Sequence, residues 1–210
     1  TGTGDHRGNL HIPKLFISFF HQQGEISHGV MAYICGDNTA KNYGRLSLNP
    51  LHHLDPLGTI FPILLILSGS SFVFGWAKPV PINYYRLKYG RLGEFLVAIA
   101  GVLSNILLAI IGMFLFKHFY EVLAPLHLLE PVLYMISLNI LLAVFNIMPI
   151  PPLDGSRVLA SIGSYDLRDS IFHMDRYGIF IIMILSWTGF LYKFIAPVYM
   201  AILSFLDKLI

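Results

Sequence analysis

Apolar residues come in long runs, and the polar residues between them are grouped rather than periodic. A clean run covers about residues 95–116 and another about 132–148. A third, about 57–76, is also near the ~20 residues that cross a ~30 Å hydrocarbon layer. A last apolar region, about 179–206, is long enough for two helices, divided near Pro197 or Gly189. The first candidate helix starts near Pro13, where proline suits a first turn, and runs to Gly36, a natural stop. Its run "LFISFF" is followed by His21, Gln22, Gln23, Glu25 and His28, so it is a poor lipid-facing span. The pattern predicts an all-α integral membrane protein of about five or six transmembrane helices.

The segments between the runs are polar and broken. Residues 37–59 alternate like a strand around Tyr43 to Leu48, then turn at Asn49-Pro50. Residues 77–94 form a second insert, interrupted by prolines, and "GSYDLRDSIFHMDRYG" a third. The first two inserts predict short membrane-associated strands or loops. Residues 1–14, "TGTGDHRGNLHIPK", form a polar, glycine-rich lead-in, expected to be flexible. Residues 15–210 then make one domain, with no repeat or linker to divide it.

Composition sharpens this picture. Of 210 residues, 55% are hydrophobic and 12% charged, against about 25% charged in soluble domains. A formal charge of +2 gives no argument for a nucleic-acid partner. The lone Cys35 excludes an intrachain disulfide. By connectivity, Lys78, Arg86, Lys88, Arg91, Arg157, Arg168 and Arg176 are expected on one side of the bilayer, and Lys41, Arg45 and Lys117 on the other. The positive-inside bias puts the larger group in the cytoplasm.

Ionisable side chains at bilayer depth are expensive and usually functional. Two groups qualify: Glu25 with His28 on the first helix, and Asp154 in "NIMPIPPLDGSRV". Pro149, Pro151 and Pro152 forbid a regular helix before Asp154. Irregular backbone at this depth survives where it is packed in protein or lines a wet cavity. Zinc takes about four ligands from histidine, cysteine and carboxylate. Glu25 and His28, three apart, share a helical face, and Asp154 is a natural further ligand. The plainer readings are a hydrogen-bonded Glu–His pair and an ordinary turn at "PLDG". His52 and His53 fit best as loop or interfacial residues. A small transporter or channel would also explain buried acids.

The order and spacing of several motifs decide between these readings. "GEISHGVMAYICGD", "TAKNYGRLSLNPLHHLDPLGT", "GWAKPVPIN", "AGVLSNILLA" and "FNIMPIPPLDGSRV" together resemble the site-2 protease family of intramembrane zinc metalloproteases, in its compact bacterial form. The resemblance covers about residues 24–158 and, more loosely, the C-terminus. It implies a zinc endopeptidase in a bacterial-type cell membrane, acting on transmembrane segments of membrane proteins. It implies that Glu25 is the general base, that His28 and Asp154 bind Zn2+, and that Asn146 helps bind substrate or the oxyanion. Asn105 and Asn139 match polar helix positions. The inserts near 41–50 and 78–90 match membrane-associated strands that offer an edge to an unwound substrate.

The sequence departs from the family at Gly24, where a first zinc-ligating histidine is expected, and at Val102, where proline is usual. Glycine cannot ligate. His21 is an awkward substitute: it lies seven residues before His28, about 10.5 Å along a helix, and leans further away. Gly24 therefore raises a second function, a protease-like membrane protein that binds transmembrane segments without cutting them.

Overall fold

The computed structural model describes residues 11–46 and 80–210. Seven helices organise them: α1 (His11–Ile34), α2 (Gly90–His118), α3 (Leu129–Asn146), α4 (Asp154–Ile162), α5 (Tyr165–Met174), α6 (Gly178–Trp187) and α7 (Phe190–Leu209). Single helical turns at Thr39–Asn42 and Tyr120–Leu123, and 3-10 turns at Tyr84–Arg86 and Asp175–Tyr177, join them. The lead-in up to residue 10, the 57–76 run, His52, His53 and the His21 side chain lie outside the described residues.

The protein is an all-α membrane protein. Among the described residues α2, α3 and α7 are long and apolar enough to cross a bilayer. Helix α1, with 24 residues, is about 36 Å long at ~1.5 Å per residue, but its polar residues need protein neighbours. Helix α6, at 10 residues, is about 15 Å and too short to cross alone. The last apolar region divides at Gly189, whose positive φ of 72° suits glycine. Pro197 stays inside α7.

Helix α2 is the central element, packed against α1, α3 and α4. Ala109, Met113, Val132, Ile136, Ile140, Val144 and Leu206 join α2, α3 and α7 in the main core. Lipid tails are as apolar as this core, so close packing rather than escape from water holds such helices together. On the outer side of α2, Leu103, Leu107, Ile111 and Phe114 are exposed. Their spacing of four, four and three marks one helical stripe, the face for lipid.

Two expectations change. Among the described residues there is no strand: residues 39–42 form a helical turn, and 80–83 are irregular, without a ladder partner. Residues 84–86 form a 3-10 turn and α2 begins at Gly90, while 47–59 and 77–79 of the inserts lie outside the described residues. The division of basic residues also changes. Leu46 and Val80 both reach Gly29, where a Cβ would meet Leu46 Cδ2 and Val80 Cγ1 at 2.8 Å. The Lys88 backbone N–H donates to Cys35 O at 2.8 Å. Lys41 and Arg45 therefore share one end of the bundle with Arg86, Lys88 and Arg91. Connectivity alone had separated them.

Candidate active site

Three helices build the site. On α1, Glu25 is half-buried and His28 is buried, 9% exposed. Helix α2 seats the His28 ring. His28 Nδ1 lies 2.7 Å from the Val97 carbonyl; a carbonyl only accepts, so Nδ1 carries the proton and donates. One turn later, Gly101 makes room, since a Cβ there would collide with the imidazole. The ring is thus fixed in tautomer and direction, lying flush against Gly101, with the free lone pair on Nε2.

Asp154 arrives from the other side. Helix α3 ends at Asn146, and residues 147–153 form turns, with Ile150 N–H to Met148 O and Leu153 N–H to Ile150 O, both 2.8 Å. The Pro151–Pro152 peptide is cis. Asp154 is the first residue of α4, where the helix dipole favours a carboxylate. Gly155 lets this turn pass against the Ile147 carbonyl, which a Cβ would strike. The mount is short, proline-stiffened and packed through Met148, Leu153 and Leu191.

His28 Nε2 and Asp154 Oδ2 stand 3.1 Å apart. Oδ2 is buried and makes no hydrogen bond of good geometry. With the proton on Nδ1, both facing atoms are acceptors, and two acceptors at this distance repel unless a cation lies with them. A second proton on His28 meets that need, as does a metal ion. The pair thus has the donor types and the orphaned buried oxygen of a zinc site. Among the described residues, no group of three His, Cys, Asp or Glu side chains gathers here. Gly24, one turn before His28, is the reason on α1: it is buried on the site face and contributes no atom.

The segment 80–83 crosses this end of α1. Val80 N–H donates to Glu25 Oε2 at 3.0 Å, and Asn83 N–H donates to Asp37 Oδ2 at 2.7 Å. Asp37, fully buried, also accepts from Thr39 N–H at 3.0 Å and the Thr39 hydroxyl at 2.5 Å. Beside the segment a cleft of about 600 Å³ opens between Thr39, residues 81–85 and Phe172 on α5. Burial raises the Tyr84 phenol above its ordinary range. Arg168 bonds both Glu94 oxygens, at 3.2 and 2.7 Å, and its hydrogen bond to Glu94 raises the guanidinium above its ordinary range. Arg157 and Arg168 flank Phe172, 4.2 and 5.0 Å from its ring centre.

The structure therefore brings His28 and Asp154 together, with Glu25 one turn away on α1. Asn146 is half-buried at the end of α3, and among the described residues it makes no hydrogen bond to His28, Glu25 or Asp154. Asn139 is fully buried and donates to Met135 O at 2.8 Å, a bond within its own helix. Sequence reasoning missed Val97, Gly101, Asp37 and Val80 as parts of the site. Gly101 carried a usable signal, because an isolated glycine in an apolar helix costs about 1 kcal/mol against alanine and usually has a packing reason.

Comparison with known proteins gives the family. The family model described as peptidase family M50 matches residues 115–186. A Bacillus subtilis protein named "Putative zinc metalloprotease YwhC" is 41% identical over 183 residues, 84% of this chain and 80% of its own. The chain belongs to peptidase family M50. A Mycolicibacterium smegmatis protein named "Putative zinc metalloprotease Rip2" is 25% identical over 167 residues, 78% of this chain and 62% of its own. No solved structure matches the chain significantly. Family membership makes zinc the metal to test against the His28–Asp154 pair.

Proposed function

We propose that this M50 chain is built as an intramembrane zinc endopeptidase that hydrolyses peptide bonds in or near transmembrane segments of membrane proteins. The observation that carries the reading is the acceptor pair, His28 Nε2 and Asp154 Oδ2 at 3.1 Å, with Glu25 on the same helical face. His28 and Asp154 would hold the zinc, which when bound polarises a carbonyl and acidifies water. Glu25 would accept the proton and pass it on. Its Oε2 already takes the Val80 N–H, which fixes the carboxylate plane and leaves the other oxygen for proton transfer. The cleft beside 80–83 is lined by Pro81, Ile82 and Tyr84 and not by Glu25, His28 or Asp154; it offers an extended peptide a place along the segment that Val80 ties to Glu25, in the manner of strand addition. The bilayer is its setting, and the bacterial relatives support a bacterial cell membrane.

Gly24 favours a second reading, a member that grips transmembrane segments with weakened or lost catalysis. The two readings separate in one experiment on purified full-length chain. Zinc content and cleavage of a single-span membrane protein are measured for the unaltered chain, Gly24→His and Gly24→His/Glu25→Gln. We expect low zinc and little cleavage from the first, a rise in both from the second, and metal without cleavage from the third. A Gly24→His protein that folds, binds zinc and does not cut any tested segment supports the second reading. One that folds and binds no more zinc overturns the assignment of this helix.

A further inference from the structure

The last turn of α1 holds two pinned cations without a carboxylate partner. Gly36 N–H closes this turn on Tyr33 O at 3.0 Å, and a lysine is fixed at each of these two residues. Lys41 Nζ donates to the Tyr33 hydroxyl at 3.1 Å and lies 4.7 Å from the centre of its ring. The Lys88 stem lies across Gly36, where a Cβ would strike its Cγ at 2.7 Å and its Cε at 2.9 Å. The Lys88 backbone is tied to Cys35 O as well. Both lysines are exposed, and among the described residues neither pairs with a carboxylate. Asp37, the acid of this turn, is fully buried and occupied by Asn83 and Thr39. Arg86, two residues before Lys88, is exposed and adds a third charge. The negative end of the α1 dipole offsets part of the repulsion among them; an anion would offset the rest. Lys41 donates to the Tyr33 oxygen, which leaves the phenol proton to donate outward. Two ammonium groups and one O–H make a donor set for a phosphate. The setting decides which phosphate. Ile34 on α1 and Leu92 on α2 are exposed and apolar, and Tyr33, Tyr43, Tyr85 and Tyr89 are exposed around the same ends. Tyrosine concentrates where hydrocarbon gives way to headgroups.

We propose that Lys41, Lys88 and Tyr33 form a binding site for the phosphate of an anionic phospholipid, which bridges the loop after α1 to the insert that carries residues 80–83. The lysines are already held in place by Tyr33 and Gly36, so binding costs little side-chain ordering. The inference does not depend on the zinc reading above.

The test offers the full chain, purified in a neutral detergent, equal amounts of phosphatidylglycerol and phosphatidylcholine, and counts the lipids retained by native mass spectrometry. Phosphatidylglycerol should be retained in preference. Each lysine should contribute about fivefold to that preference, the factor that corresponds to the usual attraction of one basic residue to an anionic surface. Lys41→Gln and Lys88→Gln, which keep most of each stem, should each lower it by that factor, and the pair should lower it further. The single changes decide the point should the pair fail to fold. Lys41→Arg/Lys88→Arg, which keeps both charges, should preserve it. Lys208→Gln, an exposed cation at the far end of α7, should leave it unchanged. Bound phosphatidylglycerol should also slow hydrogen exchange at amides of residues 80–89 in the unaltered chain and not in the glutamine pair. A preference that survives the glutamine changes overturns the inference; lower melting temperatures in both lipids alike would then assign the lysines to the α1 dipole alone. An equal loss from Lys208→Gln overturns it too, because the preference would then follow net charge rather than a site. Displacement of the lipid by excess glycerol 3-phosphate would make a soluble phosphate the ligand and overturn the lipid assignment.

Discussion

A histidine serves as a metal ligand only if one nitrogen is free and aimed, and α2 supplies both conditions for His28 with a carbonyl and a hydrogen atom. The Val97 carbonyl takes the Nδ1 proton at 2.7 Å, and Gly101 leaves the ring somewhere to lie. Gly101→Ala should therefore cost metal affinity by at least about tenfold, because the new methyl displaces the ring. Helix content should hold or rise, since alanine favours a helix over glycine by about 1 kcal/mol. Co2+ titration beside far-ultraviolet circular dichroism separates the two effects; a parallel loss of helix would mean that Gly101 serves packing alone. Asp154→Asn tests the other side. It keeps the shape and the place at the start of α4 but replaces a charged acceptor with a neutral amide. Metal binding should fall to background while the melting temperature of the metal-free protein changes little, the dipole contribution lost being about 0.3–1 kcal/mol. Retained metal binding would exclude Asp154 as a ligand.

The segment 80–83 is held at two points, by Glu25 on α1 and by Asp37 in the loop after it, across sequence gaps of 55 and 46 residues. Asp37 accepts from Thr39 twice and from Asn83 once while fully buried. Truncating it strands three donors, each penalised by about 1–3 kcal/mol. Asp37→Ala should lower stability by at least about 3 kcal/mol in a detergent unfolding experiment. Hydrogen exchange at the Val80 amide should rise, as its bond to Glu25 loses the anchor three residues later. An unchanged Val80 amide would mean that Glu25 holds the segment unaided. These ties show what a linear reading can and cannot reach. Helices α2 and α3 were legible to within a few residues because long apolar runs mark where the chain leaves water for lipid or core. The break before Asp154 was legible because prolines 149, 151 and 152 cannot donate. Glu25, His28 and Asp154 stood out as ionisable groups among apolar neighbours. Val97 did not, because a backbone carbonyl has no sequence signature. Asp37 sits in a polar loop, where another carboxylate draws no notice. The helix at Tyr165–Met174 passed for an irregular polar insert because its stability comes from contacts at a distance: Arg168 on Glu94 and Arg91 on the Gly163 carbonyl.

Charge is distributed unevenly along the bundle. Lys41, Arg45, Arg86, Lys88 and Arg91 gather where α1 ends and α2 begins, and Arg157 and Arg168 join them around Phe172. Helix α2 then runs 29 residues, about 43 Å at ~1.5 Å per residue, to Lys117, which pairs with Asp207 near the end of α7. That end holds few cations, and one of them is neutralised at 3.0 Å. The positive-inside bias therefore puts the Phe172 end, with the 80–83 cleft, in the cytoplasm, and the end of α7 outside. Regrouping Lys41 and Arg45 strengthens that assignment, because the cations counted against it now count for it. Cysteine labelling measures it directly. Cys35 is 1% exposed and can be replaced by alanine, after which single cysteines are placed at Asp169 and Lys208, both exposed. In intact cells a membrane-impermeant maleimide should label Lys208→Cys and spare Asp169→Cys, and permeabilisation should expose the latter. The reverse pattern would invert the protein in the membrane and move the cleft, with the 80–83 segment tied to Glu25, to the outer face. Any membrane-protein segment cut at Glu25 would then have to enter from outside.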